Sequence, residues 1–329
     1  MTALAPHIAA FLHVRLPAEQ GASEHTRDSY SYAFQLLFTF AGEKLKISPS
    51  SLQLEHLDAP LILSFLENLE SVRANKAASR NVRLAAIKSF MRFVEHRVPS
   101  AIEQVRRILA IPAKKADIRL VGYLSVDEMK AILETPVPTT RMGIRDRAML
   151  LLGFTAGLRV SELVGLRLEN VSLQLPASIF VRGKGRRERN LPLCRETAQA
   201  LRAWLAIRGQ ALVPELFLNA RDKQMTRSGF EYILRKHINA AVKHCPSLGK
   251  KRVSPHSLRH TCAVVTLKAT RDIRKVALWL GHSSIQSTEI YTRVDPSEKL
   301  EAIEALTPPV LRRGRFRPPD KLLQLLKSR

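Results

Sequence analysis

The chain has 329 residues, with 53 Lys and Arg against 29 Asp and Glu, so its formal net charge at pH 7 is +24. This length predicts about two domains, and 45% hydrophobic residues can supply a core for each. So large a positive charge indicates a polyanionic partner, most simply nucleic acid, although ribosome-associated and membrane-surface proteins share it.

The cysteines and the apolar runs indicate a cytoplasmic protein. Cys194, Cys245 and Cys262 lie far apart and form no Cys-x-x-Cys pair, which argues against a disulfide framework or a structural zinc site. No apolar run approaches the ~20 residues that cross a bilayer, and the N-terminus lacks the pattern of a signal peptide. We therefore expect no membrane association.

Residues 1–108 predict a small helical domain. An aromatic and apolar stripe over 26–40 follows a cap at Ser23 or Ser29, and Asp58 precedes a second apolar run. A third helix follows, with Val82, Ala86, Phe90 and Phe93 on one arc. No strand-like alternation interrupts this pattern, so we expect a helical bundle.

The third helix also carries basic residues at helical spacing. Lys76, Arg80 and Arg83 share a side of the helix that is distinct from its apolar arc. Such a face is often merely solvated. Together with the overall charge, it favours a surface that binds DNA.

Residues 109–120 predict a basic linker, and a second domain follows over 121–306. The linker contains Lys114 and Lys115, one proline and no sustained periodicity. Ser125 and Glu128 form a capping-box pattern at the start of the next helix. The remainder predicts helices interrupted by one β-hairpin, hence a mainly α fold with a small β-sheet.

The first segment with chemical potential is a helix, a glycine and a second helix. Gly157 suits the left-handed residue that ends a helix. Arg159 then lies at the start of the next helix, where backbone N–H groups already favour an anion. Glu162 follows three residues later. Alone, this arginine–glutamate pair is most often a surface ion pair.

The second segment is the predicted hairpin. Apolar residues alternate on both sides of a Gly-Lys-Gly turn that contains Lys184, and Arg186 and Arg187 follow it. The flanking glycines leave the backbone free to approach a ligand closely. A basic hairpin tip is usually solvated, and a phosphate contact is the alternative.

Two further segments contain histidines and a tyrosine. His256 and Arg259 lie one turn apart in HSLRHT, where His260 fits a structural role. His282 follows Gly281, and Tyr291 lies nine residues later. None of these residues is diagnostic alone, because a single tyrosine on an amphipathic helix is usually a core residue.

Together, the segments GLRVSEL, GKGRRERNLPL, HSLRHT, LGHSS and IYTRV resemble the catalytic domain of the tyrosine recombinase (lambda-integrase-like) family. That family has an ordered set of Arg, a hairpin Lys, His-x-x-Arg, His or Trp, and Tyr. The resemblance covers about residues 121–295. It implies that residues 1–108 form a helical core-binding domain that clamps DNA.

The resemblance implies a role for each matched residue. Arg159 and Arg259 would hold the scissile phosphate, Lys184 would protonate the 5′-hydroxyl leaving group, and His282 would hydrogen-bond the phosphate. Tyr291 matches the nucleophile. His256 is the nearest candidate for its base, and Glu162 would support the site. No ATP, metal or other cofactor is implied.

The expected function is site-specific DNA recombination through a covalent 3′-phosphotyrosine, for integration or transposition of a mobile element. The partners would be double-stranded DNA with specific recombination sites and a tetramer of this chain on two duplexes, with sibling recombinases or accessory proteins as further candidates. Xer-type dimer resolution, a monomeric type IB topoisomerase and a non-catalytic DNA-binding protein remain alternatives.

The C-terminal residues 307–329 form a Pro- and Arg-rich stretch followed by a leucine-rich segment. A disordered basic tail is one interpretation. The other is a short helix whose leucines, Leu322 and Leu326 among them, dock on a neighbouring protomer, because an isolated helix would leave them exposed. We favour docking.

Overall fold

The computed structural model describes residues 2–116, 122–183, 188–210, 213–282 and 284–291. The chain divides into two compact units, Met1–Ile118 and Arg119–Arg329. Each unit contains a hydrophobic core of its own. The limits predicted for the linker, 109–120, and for the tail, 307–329, stay predictions, and the tail lies outside the described residues.

The first unit is built from helices. Its α-helices are Leu4–Ala10 (α1), Glu24–Leu45 (α2), Ala59–Ser71 (α3), Ala77–Glu95 (α4) and Ile102–Leu109 (α5). Of the two predicted cap candidates, Ser23 is confirmed, since its side chain accepts a hydrogen bond from the Thr26 N–H; Asp58, which precedes the second apolar run, also caps its helix by accepting from the Leu61 N–H. These bonds satisfy N–H groups that a helix start leaves unpaired.

Aromatic rings fill the centre of this first core. Phe90 lies with its ring centroid 5.5 Å from that of Phe11 and 5.6 Å from that of Phe34, both in edge-to-face geometry. Phe34 on α2 and Ala86, Phe90 and Phe93 on α4 are buried as the predicted stripes require, whereas Val82 is 46% exposed, so its place on the apolar arc was predicted wrongly. Ile111, just beyond α5, is buried in the same core.

The second unit is mainly helical with one small sheet. Its α-helices are Val126–Glu134 (α6), Arg141–Thr155 (α7), Val160–Val164 (α8), Arg195–Arg208 (α9), Arg227–Ala241 (α10), Pro255–Thr270 (α11), Ile273–Leu280 (α12) and Gln286–Glu289 (α13). The capping box at the start of α6 is confirmed, because the Ser125 N–H donates to Glu128 Oε2 at 2.8 Å and the Glu128 N–H donates to Ser125 Oγ at 3.2 Å.

The sheet consists of three antiparallel strands in sequence order. They are Val171–Ser172 (β1), Ser178–Arg182 (β2) and Glu188–Pro192 (β3). In the register of β2 and β3, Ile179 pairs with Leu191 and Val181 pairs with Arg189. Paired residues lie on one face of a sheet. Arg189 therefore lies on the same face as three apolar residues that are buried in the core.

Helix α7 and the residue that follows it connect the core to the site. Four of the five residues from Ala148 to Leu152 are fully buried, all but Leu151, so this helix runs through the core. Gly157 follows it with a φ of +59°, and a Cβ there would lie 2.9 Å from Cys262 Sγ on α11. A glycine is therefore needed both for the backbone conformation and for the close approach to α11. None of the described helices is long and apolar enough to cross a bilayer.

Candidate active site

Arg159 and Glu162 form a fixed pair at the start of α8. Arg159 precedes the helix, and its backbone N–H donates to Glu162 Oε2 at 2.9 Å while its Nη1 donates to Oε1 at 2.8 Å. The Glu162 side chain is only 4% exposed, whereas that of Arg159 is 32% exposed. Glu162 is thus the buried support, and Arg159 retains a surface toward solvent.

Arg189 is the second partner of Glu162 and comes from β3. Its Nη2 donates to Glu162 Oε2 at 2.7 Å, and its Nη1 donates to Oε1 at 3.4 Å. Burial alone would raise the pKa of the Glu162 carboxyl, but the bonds from Arg189 and from the Arg159 backbone N–H outweigh burial and lower this pKa. Glu162 therefore remains an anion between two arginines.

Arg259 lies on α11 and ties together the ends of two other helices. Its Nη1 donates to the Gly157 carbonyl after α7 at 2.6 Å, and its Nη2 donates to the Leu280 carbonyl of α12 at 2.7 Å. Burial, and to a lesser extent the charge of Arg159, lowers the pKa of the Arg259 guanidinium to about 10. Arg259 is therefore still a cation at neutral pH, held rigidly beside the other site residues.

Tyr291 is buried, with its hydroxyl at a histidine. The residue is 2% exposed and packs with the apolar side chains of α11 and α12. Its Oη lies 2.9 Å from His260 Nδ1. Burial raises the pKa of the Tyr291 phenol, while the charges of Arg259 and Arg159 oppose this rise. The two arginines thus act electrostatically on the phenol oxygen.

His256 and His282 complete the group around Tyr291. The His256 ring packs edge-to-face on that of His260, with 4.7 Å between centroids, and the His282 ring is nearly parallel to the Tyr291 ring at 6.3 Å. His282 Nδ1 lies 2.7 Å from the hydroxyl of Thr288. Burial is the main cause that lowers the pKa of His256. Burial is also the main cause that lowers the pKa of His282, to about 4. We therefore expect His282 to be neutral at physiological pH.

The structure thus brings together most of the residues that the sequence selects. Arg159, Glu162, Arg259, His256, His282 and Tyr291 all belong to one site in the second unit. Lys184, Arg186 and Arg187 lie outside the described residues, so their roles stay predictions. Among the described residues, no group of three or more His, Cys, Asp or Glu side chains could hold a metal ion.

The residues predicted to bind DNA from the first unit differ in exposure. Lys76, Lys114 and Lys115 are exposed, and Arg83 is half-buried with its guanidinium 5.0 Å from the Tyr32 ring. Arg80 is 5% exposed, with its Nε 3.6 Å from a Glu70 carboxylate oxygen and its Nη1 bonded to the Pro112 carbonyl. Its side chain is thus directed into the unit and not toward the basic face on which the sequence placed it.

Two site residues were missed by the sequence reasoning. Arg189 was not singled out, although its place two residues before Leu191 puts it on the core-facing side of β3, which is unusual for an arginine. His260 was given only a structural role. It lies four residues after His256, hence on the same side of α11, and that spacing was the available signal.

Comparison with known proteins identifies the family. Residues 122–298 match the phage integrase family, and residues 8–97 match the phage integrase N-terminal SAM-like domain. The chain belongs to the phage integrase family and is a tyrosine site-specific recombinase.

Its relatives carry two kinds of name. Integrase/recombinase y4rC of Sinorhizobium fredii is 40% identical over 325 residues, which cover 99% of this chain and 98% of the relative. Tyrosine recombinase XerC of Pelobacter propionicus is 33% identical over 312 residues, which cover 94% of this chain and 97% of the relative. Both of these relatives are named as recombinases.

Solved structures show the same fold at low sequence identity. The Tn1549 transposon integrase in complex with transposon right end DNA matches with a TM-score of 0.68 at 15% identity, over 94% of this chain and all of the other. The XerH recombinase bound to difH substrate matches with a TM-score of 0.65 at 21% identity, over 88% and 81% of the two chains. The predicted fold class, helical with a small sheet, is confirmed.

Proposed function

We propose that this enzyme cuts and rejoins DNA at specific sites through a covalent bond between Tyr291 and a 3′-phosphate. One observation carries the proposal: the Tyr291 hydroxyl is hydrogen-bonded to His260, its ring lies beside that of His282, and the charges of Arg159 and Arg259 act on it. A phenol beside two fixed cations is suited to attack a phosphodiester, because the cations offset the charge that develops on the phosphate oxygens.

The two arginines hold the phosphate in different ways. Arg159 is partly exposed and fixed by Glu162, so its free donors can reach a non-bridging oxygen. Arg259 uses one N–H of each terminal nitrogen on backbone carbonyls, which leaves the other N–H groups for the phosphate. His282, neutral and positioned by Thr288, donates a further bond.

The chemical step conserves the phosphodiester energy. The Tyr291 hydroxyl loses its proton to a neighbouring histidine as its oxygen bonds to phosphorus, the bond from phosphorus to the 5′-oxygen breaks, and Lys184 supplies the proton that this 5′-oxygen takes. The reverse attack by a 5′-hydroxyl of another strand completes the exchange. Neither ATP nor a metal ion takes part in this scheme.

The biological role proposed is integration or transposition of a mobile element. The relative that is 40% identical along nearly the whole chain is named an integrase/recombinase, and it supports this role. Xer-type resolution of chromosome or plasmid dimers is the second candidate, favoured by the 33% identity to a protein named XerC. An assay can distinguish the two roles. It measures recombination between the sequences that flank the gene, in a strain that lacks its chromosomal resolution site.

Strand exchange requires DNA contacts and self-assembly. In the first unit, we place DNA contacts on the exposed cations Lys76, Lys114 and Lys115 and on Arg83; in the second unit, Arg186 and Arg187 are further proposed contacts. Four protomers on two duplexes would bring two cleaved sites together. The leucines of the tail, 307–329, would link neighbouring protomers.

Deleting residues 318–329 tests that link. We expect binding of one protomer to a half-site to be unchanged, because the proposed DNA-binding cations are retained, while tetramer formation and recombination fall strongly. Gel-shift and recombination assays on the same DNA measure both. The double variant Leu322→Ala, Leu326→Ala should reproduce the deletion. Recombination at the full rate by either protein would refute docking by these leucines.

The covalent step is tested with Tyr291→Phe. This change removes one oxygen and keeps the ring, so folding and DNA binding should persist. On a nicked duplex taken from the DNA that flanks the gene, in EDTA, the wild type should form an SDS-stable adduct and the variant none. A covalent band from Tyr291→Phe at the wild-type level would refute the proposed nucleophile, and a requirement of the wild type for Mg²⁺ would refute the metal-independent scheme.

A further inference from the structure

His260 is the hydrogen-bond partner of the Tyr291 hydroxyl in the described part of the chain. Its Nδ1 lies 2.9 Å from Oη, across 31 residues of sequence. His256, the residue that the family resemblance points to as a base, makes no hydrogen bond with Tyr291 within the described residues. Geometry is the first requirement for a general base, and His260 meets it.

From this geometry we infer that His260 is the general base that takes the proton of Tyr291. The inference rests on the proposed function, because it concerns the same covalent step. The neutral ring carries its proton on Nε2 and accepts the hydrogen bond from Oη at Nδ1. As the Tyr291 oxygen bonds to phosphorus, its proton passes to Nδ1 and an imidazolium forms. When the 5′-hydroxyl of a strand later displaces the tyrosine, the proton returns to Oη.

The surroundings of His260 keep its ring ready to accept a proton. The groups that face it are His256 and Arg259 on α11, His282 after α12, and Tyr291 itself. Burial, and then the neighbouring His256 and Arg259, lowers the pKa of His260 to about 4. The ring is therefore neutral above pH 5. Burial, with the positive charge nearby, keeps the ring neutral before DNA binds, and the incoming phosphate charge favours the imidazolium.

The packing also fixes the direction of the ring. The His260 ring lies edge-to-face on His256 at 4.7 Å and tilted toward Tyr291, with 5.6 Å between those centroids. His260 occupies α11 one residue after Arg259, whose guanidinium is anchored to two backbone carbonyls. The proposed base is thus adjacent on α11 to the arginine proposed to bind the phosphate.

The experiment compares His260→Asn with His260→Ala on the nicked duplex in single-turnover conditions. The Asn side chain can still accept a bond from the Tyr291 hydroxyl but cannot take its proton. A base is worth about 10²–10⁴-fold in rate. We therefore expect both variants to form the adduct at least about 100-fold more slowly than the wild type, with unchanged DNA binding. Near wild-type cleavage by His260→Asn would show that the residue only positions the hydroxyl, and would overturn the inference.

A second arm asks which histidine acts as the base. Replacing Tyr291 with a fluorinated tyrosine, a stronger acid, reduces the need for a base. It should restore much of the rate lost in His260→Asn and little of the rate lost in His256→Asn. The opposite pattern would assign the base to His256 and refute this inference. Because His260→Asn keeps Tyr291, these outcomes are separate from the covalent step itself: if the wild type forms no adduct, the proposed function fails first.

Discussion

At the scale of single residues, side chains that lie within a local sequence motif could be predicted to belong to the site. Side chains that reach the site only through contacts with residues far along the chain were missed. Arg159 and Glu162 lie three residues apart, and their pairing could be expected. The bond from Arg189 to Glu162 spans 27 residues, and that from His260 to Tyr291 spans 31. Neither distance can be read from spacing along one helix or strand.

Arg80 illustrates the opposite error. Its spacing from Lys76 and Arg83 predicts one basic face, but its position on the helix circumference is turned toward the core. There, its guanidinium pairs with the carboxylate of Glu70 on the preceding helix and donates a hydrogen bond to the carbonyl of Pro112. A buried cation needs such partners, and a sequence pattern on a single helix cannot reveal them.

Arg159 and Arg259, the two arginines proposed to bind the phosphate, should respond differently to replacement by lysine. Arg259 makes two backbone bonds with different nitrogens, and one ammonium group cannot reproduce that geometry. We expect Arg259→Lys to lower the free energy of unfolding by about 1–3 kcal/mol, the cost of a buried group left without its partner, and to slow cleavage. Urea denaturation and adduct formation measure the two effects.

Arg159→Lys is the matched control for that prediction. The Arg159 side chain is partly exposed, and its Nη1 is bonded to Glu162, which Arg189 also holds. Stability should therefore change little, while cleavage falls by about 10²–10³-fold through the loss of transition-state donors. Equal loss of stability in the two variants would contradict the anchoring role given to Arg259.

At the scale of helices and strands, the starts of several helices could be predicted because their caps are local. Ser23, Asp58 and Ser125 each accept a bond from an N–H three residues later. The two-residue strand β1 was not predicted, since its pairing with β2 depends on the sheet and not on its own sequence. Short elements of this kind are stabilised by tertiary contacts.

The turn between α12 and His282 connects the sheet to the site. Gly281 has a φ of +64°, and a Cβ there would lie 2.8 Å from Arg189 Nη1. Gly281→Ala should cost about 1–2 kcal/mol for the left-handed backbone. It should also displace Arg189 from Glu162 and shift His282, so adduct formation should fall by more than the loss of stability explains.

Gly21→Ala serves as the control for the backbone effect. Gly21 has a similar φ of +58°, but no other atom lies within 4 Å of the position of its Cβ. This variant should lose stability to a similar extent and retain wild-type cleavage when it is folded. Full cleavage by folded Gly281→Ala would show that the contact between Gly281 and Arg189 does not matter for the site.

At the scale of the whole molecule, the charge was the feature that pointed to DNA before any motif was considered. A net charge of +24 means that binding should release many condensed counterions. Each phosphate neutralised contributes about −0.9 to the slope of log affinity against log salt concentration on B-DNA. We expect a slope of several units for the wild type, measured by fluorescence anisotropy on a labelled duplex between low and physiological salt.

The same titration identifies the cations that contact phosphate. Replacing Lys76 and Lys115 together by Gln should reduce the magnitude of the slope by about 1.8, because two phosphate contacts are lost. Lys130→Gln is the control, since this lysine on α6 is exposed, lies 3.9 Å from Glu134 and belongs to no proposed DNA contact. Its slope should match that of the wild type. A flat titration for the wild type would defeat the proposed DNA-binding surface, and an unchanged slope for the double variant would place that surface elsewhere on the molecule.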